Sequence, residues 1–201
     1  MTAARTPDPQ QGTRERLIRA MLDALRTRGF HGVGISELLA EAQAPKGVLY
    51  HHFPGGKTEL AVAALDVVVG QITAGLDRLF ERHGDPTLAL AAWMTDAHKT
   101  LLDSAYERGC PLATIALEST ADDTVIRDAV ARGFAAIRNT LKRALMTAGV
   151  PPERAASLAT LIVSAYEGAL IQARVAGSKK PLQDTSSTLL EILRHSLSVD
   201  R

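Results

Sequence analysis

Residues 45–60 run Pro45-Lys46-Gly47-Val48-Leu49-Tyr50-His51-His52-Phe53-Pro54-Gly55-Gly56-Lys57-Thr58-Glu59-Leu60. Proline is favoured in the first turn of a helix and disfavoured inside one, so a helix is expected to open at Pro45. Pro54, Gly55 and Gly56 continue a helix poorly, which ends the element near Phe53. So short a helix buries too little surface to stand alone. Leu49 and Phe53 are its core-facing residues, and Lys46, Tyr50, His51 and His52 fall on a solvated face.

Two helices upstream supply the packing partners. Leu17, Ile18, Met21, Leu22 and Leu25 recur at helical spacing over residues 13–28, with Arg14, Arg16, Asp23 and Arg26 on the other side and Gly29 as the stop. A short second helix is expected over residues 35–42, with Gly34 as N-cap and Ile35, Leu38, Leu39 and Ala42 as its buried stripe. Only Gln43 and Ala44 separate it from Pro45, so the two short helices meet at a tight turn. Lys46, Tyr50 and His51 then offer a cation, a phenol and an imidazole with no acidic neighbour, as a helix in a DNA major groove requires. Gly47 allows close approach to a sugar-phosphate backbone. Lys and Tyr also occupy solvated faces in ordinary bundles, so residue chemistry alone leaves DNA binding and plain packing side by side.

Beyond Gly56, helices are expected over residues 57–82, 86–105, 112–118, 122 or 123 to 148, 153–176 and 185–198, punctuated by glycine and proline. No alternating strand pattern and no internal repeat accompanies them. The expected fold is all-α with about nine helices. A three-helix helix-turn-helix module occupies residues 1–55, its first 12 residues a flexible arm, and a helical ligand-binding and dimerisation bundle occupies residues 56–201.

Composition narrows the function classes. Hydrophobic residues at 46% and charged residues at 22% are the balance of a folded globular chain rather than a disordered one. The longest charge-free run lies between Arg154 and Glu167, well short of the roughly 20 apolar residues of a membrane span. The polar N-terminus, with Pro7 and Pro9, lacks the apolar core of a signal peptide. A cytoplasmic protein without a membrane partner is expected. Its single cysteine, Cys110, fits a reducing compartment. The net charge of +1 is weak evidence for nucleic acid, although residues 1–60 hold its positive share. No HExxH, CxxC, nucleotide-phosphate loop or Gly-x-Ser-x-Gly run occurs, and His83, His98 and His195 are scattered. No catalytic set, metal site or cofactor is therefore expected.

The run from Pro45 to Leu60, with Lys46-Gly47, Leu49-Tyr50 and His52-Phe53 at its centre, resembles the recognition helix and following helix start of TetR-family regulators. Gly29-Phe30, Ile35 and Leu38 stand where that family ends helix one and packs helix two. Many relatives carry Ser or Thr at the start of helix two; Val33 and Gly34 stand there in this chain, and Ser36 is the nearby hydroxyl for capping or a phosphate. Pro45 replaces a common Ser, Val48 a frequent Thr or Ser, and Gly55-Gly56 lengthens the usual turn by one residue. These variants resemble a subgroup that includes regulators of drug export and flavonoid degradation.

The resemblance implies that Pro45, Lys46 and Gly47 lie against DNA, that Tyr50 and His51 bond phosphate or base edges, and that Val48 meets a thymine methyl. It implies a phosphate contact for Lys57, helped by free backbone N–H groups. Leu49 and Phe53 are core, and His52 is a structural residue rather than a base reader.

In the body, Trp93, Met94, Phe134 and Tyr166 interrupt Ala-rich helices and could line a cavity for an apolar or aromatic molecule, although each alone is more often plain core. Cys110 reads either as a small buried hydrophobe or as an electrophile sensor whose thiolate Arg108 and a helix start favour. Glu167 meets a ligand, a partner subunit or solvent. Stripes of Leu158, Leu161, Ile162, Ala165 and Ala169, and of Leu189, Ile192, Leu193 and Leu197, are expected to form a four-helix bundle across a two-fold. The resulting expectation is a homodimeric, ligand-responsive transcriptional regulator that binds double-stranded DNA, a repressor released from a palindromic operator by a small hydrophobic or aromatic effector. The rival reading is a small-molecule-binding helical protein or enzyme with a vestigial helix-turn-helix.

Overall fold

The computed structural model describes residues 12–199; of the expected arm, residues 1–11 lie outside the described residues. Among the described residues are nine helices and no strand: α1 (Thr13–Thr27), α2 (Ile35–Glu41), α3 (Val48–His52), α4 (Gly56–His83), α5 (Pro86–Asp103), α6 (Pro111–Glu118), α7 (Thr124–Thr147), α8 (Pro152–Ala176) and α9 (Lys180–Val199).

In α1, Leu17, Met21 and Leu25 are fully buried, and Gly29 follows the helix at φ +79°, a left-handed conformation that suits glycine. The chain reverses after α2 through Gln43, at φ +49°, where the Ala44 N–H donates to the Leu39 carbonyl at 2.9 Å. This reversal takes up the residues up to Gly47. Hence α3 opens at Val48 rather than at Pro45, and the Val48 N–H bonds the Pro45 carbonyl at 3.1 Å. It stops at Phe53 because a residue preceding proline is pushed out of the helical region. The start of α9 is likewise moved, to Lys180, since Pro181 is tolerated in the first turn, where its missing N–H has no partner to lose.

The long α4 packs against α1 and also against α5 and α7, joining head and body. Gly133 of α7 allows the closest approach in the bundle: a Cβ there would collide with Leu112 of α6 at 2.5 Å and press on Val69 of α4 at 3.0 Å.

One expectation changes in the body. Leu158, Ile162 and Ala169 of α8, with Leu189 and Leu193 of α9, are buried within the chain's own core. They are consumed because α8 packs on α7 and α9, and α9 packs on α5. The apolar residues left facing outward are Leu161, Ile171 and Val175 of α8 and Ile192 of α9. By length and mean hydropathy α4 and α8 are each long and apolar enough to cross a membrane, as buried core helices also can be. Here both pack as members of the bundle.

Candidate functional site

The head presents one exposed run. Pro45, Lys46, Gly47, Tyr50 and His51 are solvent-exposed, while Leu49 and Phe53 are buried beneath them. Lys46 makes no ion pair among the described residues. Val48 is partly buried against the core, and His52, half-buried, meets the His51 ring edge-on at 5.0 Å. Gly56 sits at φ +66°, and a Cβ there would lie 3.3 Å from the Tyr50 ring, so the turn after α3 and the placement of Tyr50 depend on each other.

Two of the expected DNA contacts stand differently. Ser36 is exposed in the first turn of α2 but caps nothing; the Glu37 carboxylate accepts the Gly34 N–H at 3.2 Å and takes that role. Lys57 is half-buried, its ammonium 4.5 Å from the centre of the Phe30 ring. Burial lowers its pKa, opposed by the nearby Glu118 carboxylate.

A cavity of about 490 Å³ opens among α1, α4, α5, α7, α8 and the segment leading into α6. Trp93, Cys110, Tyr166 and Glu167 line it, whereas Met94 and Phe134 do not. Met94 is one residue, about 100° of helix, beyond Trp93 and is buried in the core; on α7 the wall is built by Ile137 and Leu141 instead. The Tyr166 ring lies between Trp93, 4.8 Å away and tilted by 55°, and His98, stacked at 6.0 Å. Burial lowers the His98 pKa.

Tyr166 is 5% exposed, and neither its hydroxyl nor Oε2 of Glu167 has a hydrogen-bond partner. Burial raises the pKa of both groups, and the Glu167 carboxylate adds to the shift at Tyr166. The Cys110 thiol lies close to the Glu167 carboxyl group, near enough for each to shift the other's pKa. Burial first, and then that carboxylate, push the thiol far above its ordinary range. Of the two readings of Cys110, this fits the small buried hydrophobe rather than the thiolate sensor, and Arg108 reaches Asp23 at 3.3 Å rather than activating the sulfur.

The cavity wall is tied directly to the head. The last carbonyls of α1 are capped by groups from the body: the Gly109 N–H donates to Arg26 at 3.1 Å, and the Arg174 guanidinium to Thr27 at 3.1 Å. Arg26, Arg108 and Gly109 themselves line the cavity. At the far end of α6, the Glu118 carboxylate accepts the N–H groups of Phe30 and, at 3.2 Å, His31. His31 also faces Asp123 at 3.5 Å. Glu118 escaped the sequence reading because its partners lie almost 90 residues away and no local pattern marks the contact.

A helix-turn-helix head on a helical body is the architecture of a DNA-binding regulator. Comparison with known proteins agrees. Residues 17–64 match the family described as bacterial regulatory proteins of the tetR family, and residues 86–188 match the C-terminal domain of LmrA/YxaF-like transcriptional regulators. An uncharacterised helix-turn-helix transcriptional regulator of Mycobacterium tuberculosis is 33% identical over 91% of this chain and 95% of its own length. The regulator LmrA of Bacillus subtilis is 25% identical over 90% and 97%, respectively. A TetR regulator of Legionella pneumophila shares the fold, with a TM-score of 0.81 at 22% identity over 92% of this chain and 99% of that one. The chain belongs to the TetR family of transcriptional regulators, which are DNA-binding proteins rather than enzymes.

Proposed function

We propose that this regulator is a cytoplasmic homodimeric repressor whose heads, within residues 1–55, read a palindromic operator. A small hydrophobic or aromatic effector bound in the body, residues 56–201, releases it. The observation that carries the reading is the shared wall. Arg26 of α1 faces the cavity, and so do Arg108 and Gly109, which are bonded to α1 at Asp23 and Arg26, so a ligand that displaces the wall displaces the head. The effector acts by favouring a conformation in which the two heads no longer fit adjacent major grooves.

On the operator, Lys46 and Tyr50 take base edges or phosphates, with His51, Gly47 and Pro45 beside them and Val48 against a thymine methyl. Ser36, and Lys57 once it leaves Phe30, take phosphates. Gel-shift titration on the gene's own upstream region tests this. Lys46→Ala is expected to relax discrimination at one base pair by about 1–3 kcal/mol. Tyr50→Phe should fold normally and bind more weakly. Parent-like binding by both variants across a salt titration removes this surface from the DNA interface.

A further inference from the structure

Resting on the effector-site reading above, we propose that the effector is a hydroxylated aromatic acid. Its ring packs on Trp93 and Tyr166, its hydroxyl donates to the Glu167 carboxyl group, and its carboxylate meets Arg78 and Arg82 at the open side.

The buried end sets the first requirement. The Tyr166 hydroxyl and Oε2 of Glu167 are adjacent in the chain, buried, and without hydrogen-bond partners, and both residues belong to the cavity wall. Oε2 of Glu167, without a partner in the protein, is left to be met from the cavity. A hydrocarbon ligand leaves these groups as unpaired as they are in the free protein, whereas a ligand hydroxyl that gives the Glu167 oxygen a partner gains on the order of tenfold in affinity.

Charge sets the second requirement. Four arginines line the cavity against two carboxylates, Asp96 and Glu167. Arg26 and Arg108 share Asp23, at 3.9 and 3.3 Å. Arg78 and Arg82 are exposed and have no ion-pair partner among the described residues, so the open side keeps a positive excess that Asp96 only partly offsets. An organic cation is disfavoured there, and a carboxylate finds a planar guanidinium partner. Between the two ends the wall is apolar and aromatic, and about 490 Å³ lies within the range of small-molecule sites.

Calorimetric titration with four probes tests the assignment, with fluorescence of Trp93, the single tryptophan, reporting cavity occupancy. The probes are 4-hydroxycinnamate, cinnamate, 4-hydroxycinnamyl alcohol and naphthalene. The first is expected to bind about tenfold tighter than cinnamate, which lacks the hydroxyl, and about tenfold tighter than the alcohol, which lacks the carboxylate. Tyr166→Phe combined with Glu167→Met should erase the hydroxyl preference and keep the carboxylate preference. Arg78→Gln combined with Arg82→Gln should do the reverse, which a misfolded cavity could not. Equal affinity for 4-hydroxycinnamate and cinnamate overturns the proposal. So does a preference that survives its own variant pair. If naphthalene binds tightest and quenches Trp93, the effector-site reading stands and the hydroxy-acid assignment fails. Silence from all four probes overturns both.

Discussion

At the level of single residues, Glu167 concentrates the chemistry of the body. Its carboxyl group is desolvated, and its pKa lies above the ordinary value of 4.5 despite the opposing influence of the nearby Cys110 thiol. A raised folded-state value means the folded chain holds the proton more tightly than the unfolded one. The resulting stability is present below pH 4.5 and is lost as pH rises through the folded value. Glu167→Gln, which keeps the side chain's shape and removes its charge, should therefore gain melting temperature on the parent as pH rises from about 4.5 to 7.5. Melting curves at both ends of that window check the sign, and a gap that narrows with pH contradicts the account. Cys110 belongs to the same desolvated cluster. Its thiol should resist alkylation by iodoacetamide at pH 8 in the native protein and react on unfolding, whereas equal rates in both states would restore the sensor thiolate.

Among the elements, α6 links the cavity to the head. Its start, at Cys110 and Pro111, lines the cavity, and its last residue, Glu118, holds the backbone between α1 and α2. A rigid helix of eight residues transmits a shift at one end to the other. Glu118→Ala should cost about 1–2 kcal/mol, since it leaves the Phe30 N–H without its charged acceptor. It should leave ligand titration unchanged while the ligand-induced loss of operator affinity shrinks towards none. Undiminished coupling in this variant would assign transmission to the Gly109 and Arg174 caps on α1 instead.

For the whole molecule, the outward apolar residues of α8 and α9 define the surface available for a second copy. Leu161, Ile171 and Ile192 are each about 40% exposed and Val175 is 85% exposed, whereas the inner stripes are already used. A two-fold that apposes these helices completes a four-helix bundle. Leu161→Glu combined with Ile192→Glu is expected to leave the fold intact, because neither side chain is buried, and to yield a monomer by size-exclusion chromatography with light scattering. Operator affinity should fall with it, since a palindrome is read by two heads at once. A dimer that persists in this variant places the interface elsewhere.

Most helix boundaries were legible from the sequence because they rest on forces within a few residues. Pro54 excludes helical geometry at Phe53, Gly29 and Gly84 accept left-handed caps, and apolar residues recur at helical spacing. The head's division into buried Leu49 and Phe53 and exposed Lys46, Tyr50 and His51 followed from the same local rules. Only the tertiary structure decided what depends on atoms delivered by distant helices. Trp93 faces the cavity and Met94 does not; Leu161 faces out and Ile162 in. Lys57 folds over Phe30, and Cys110 keeps its proton beside Glu167. Periodicity in a sequence marks an apolar stripe but not the neighbour that covers it, and desolvation is a property of the neighbours.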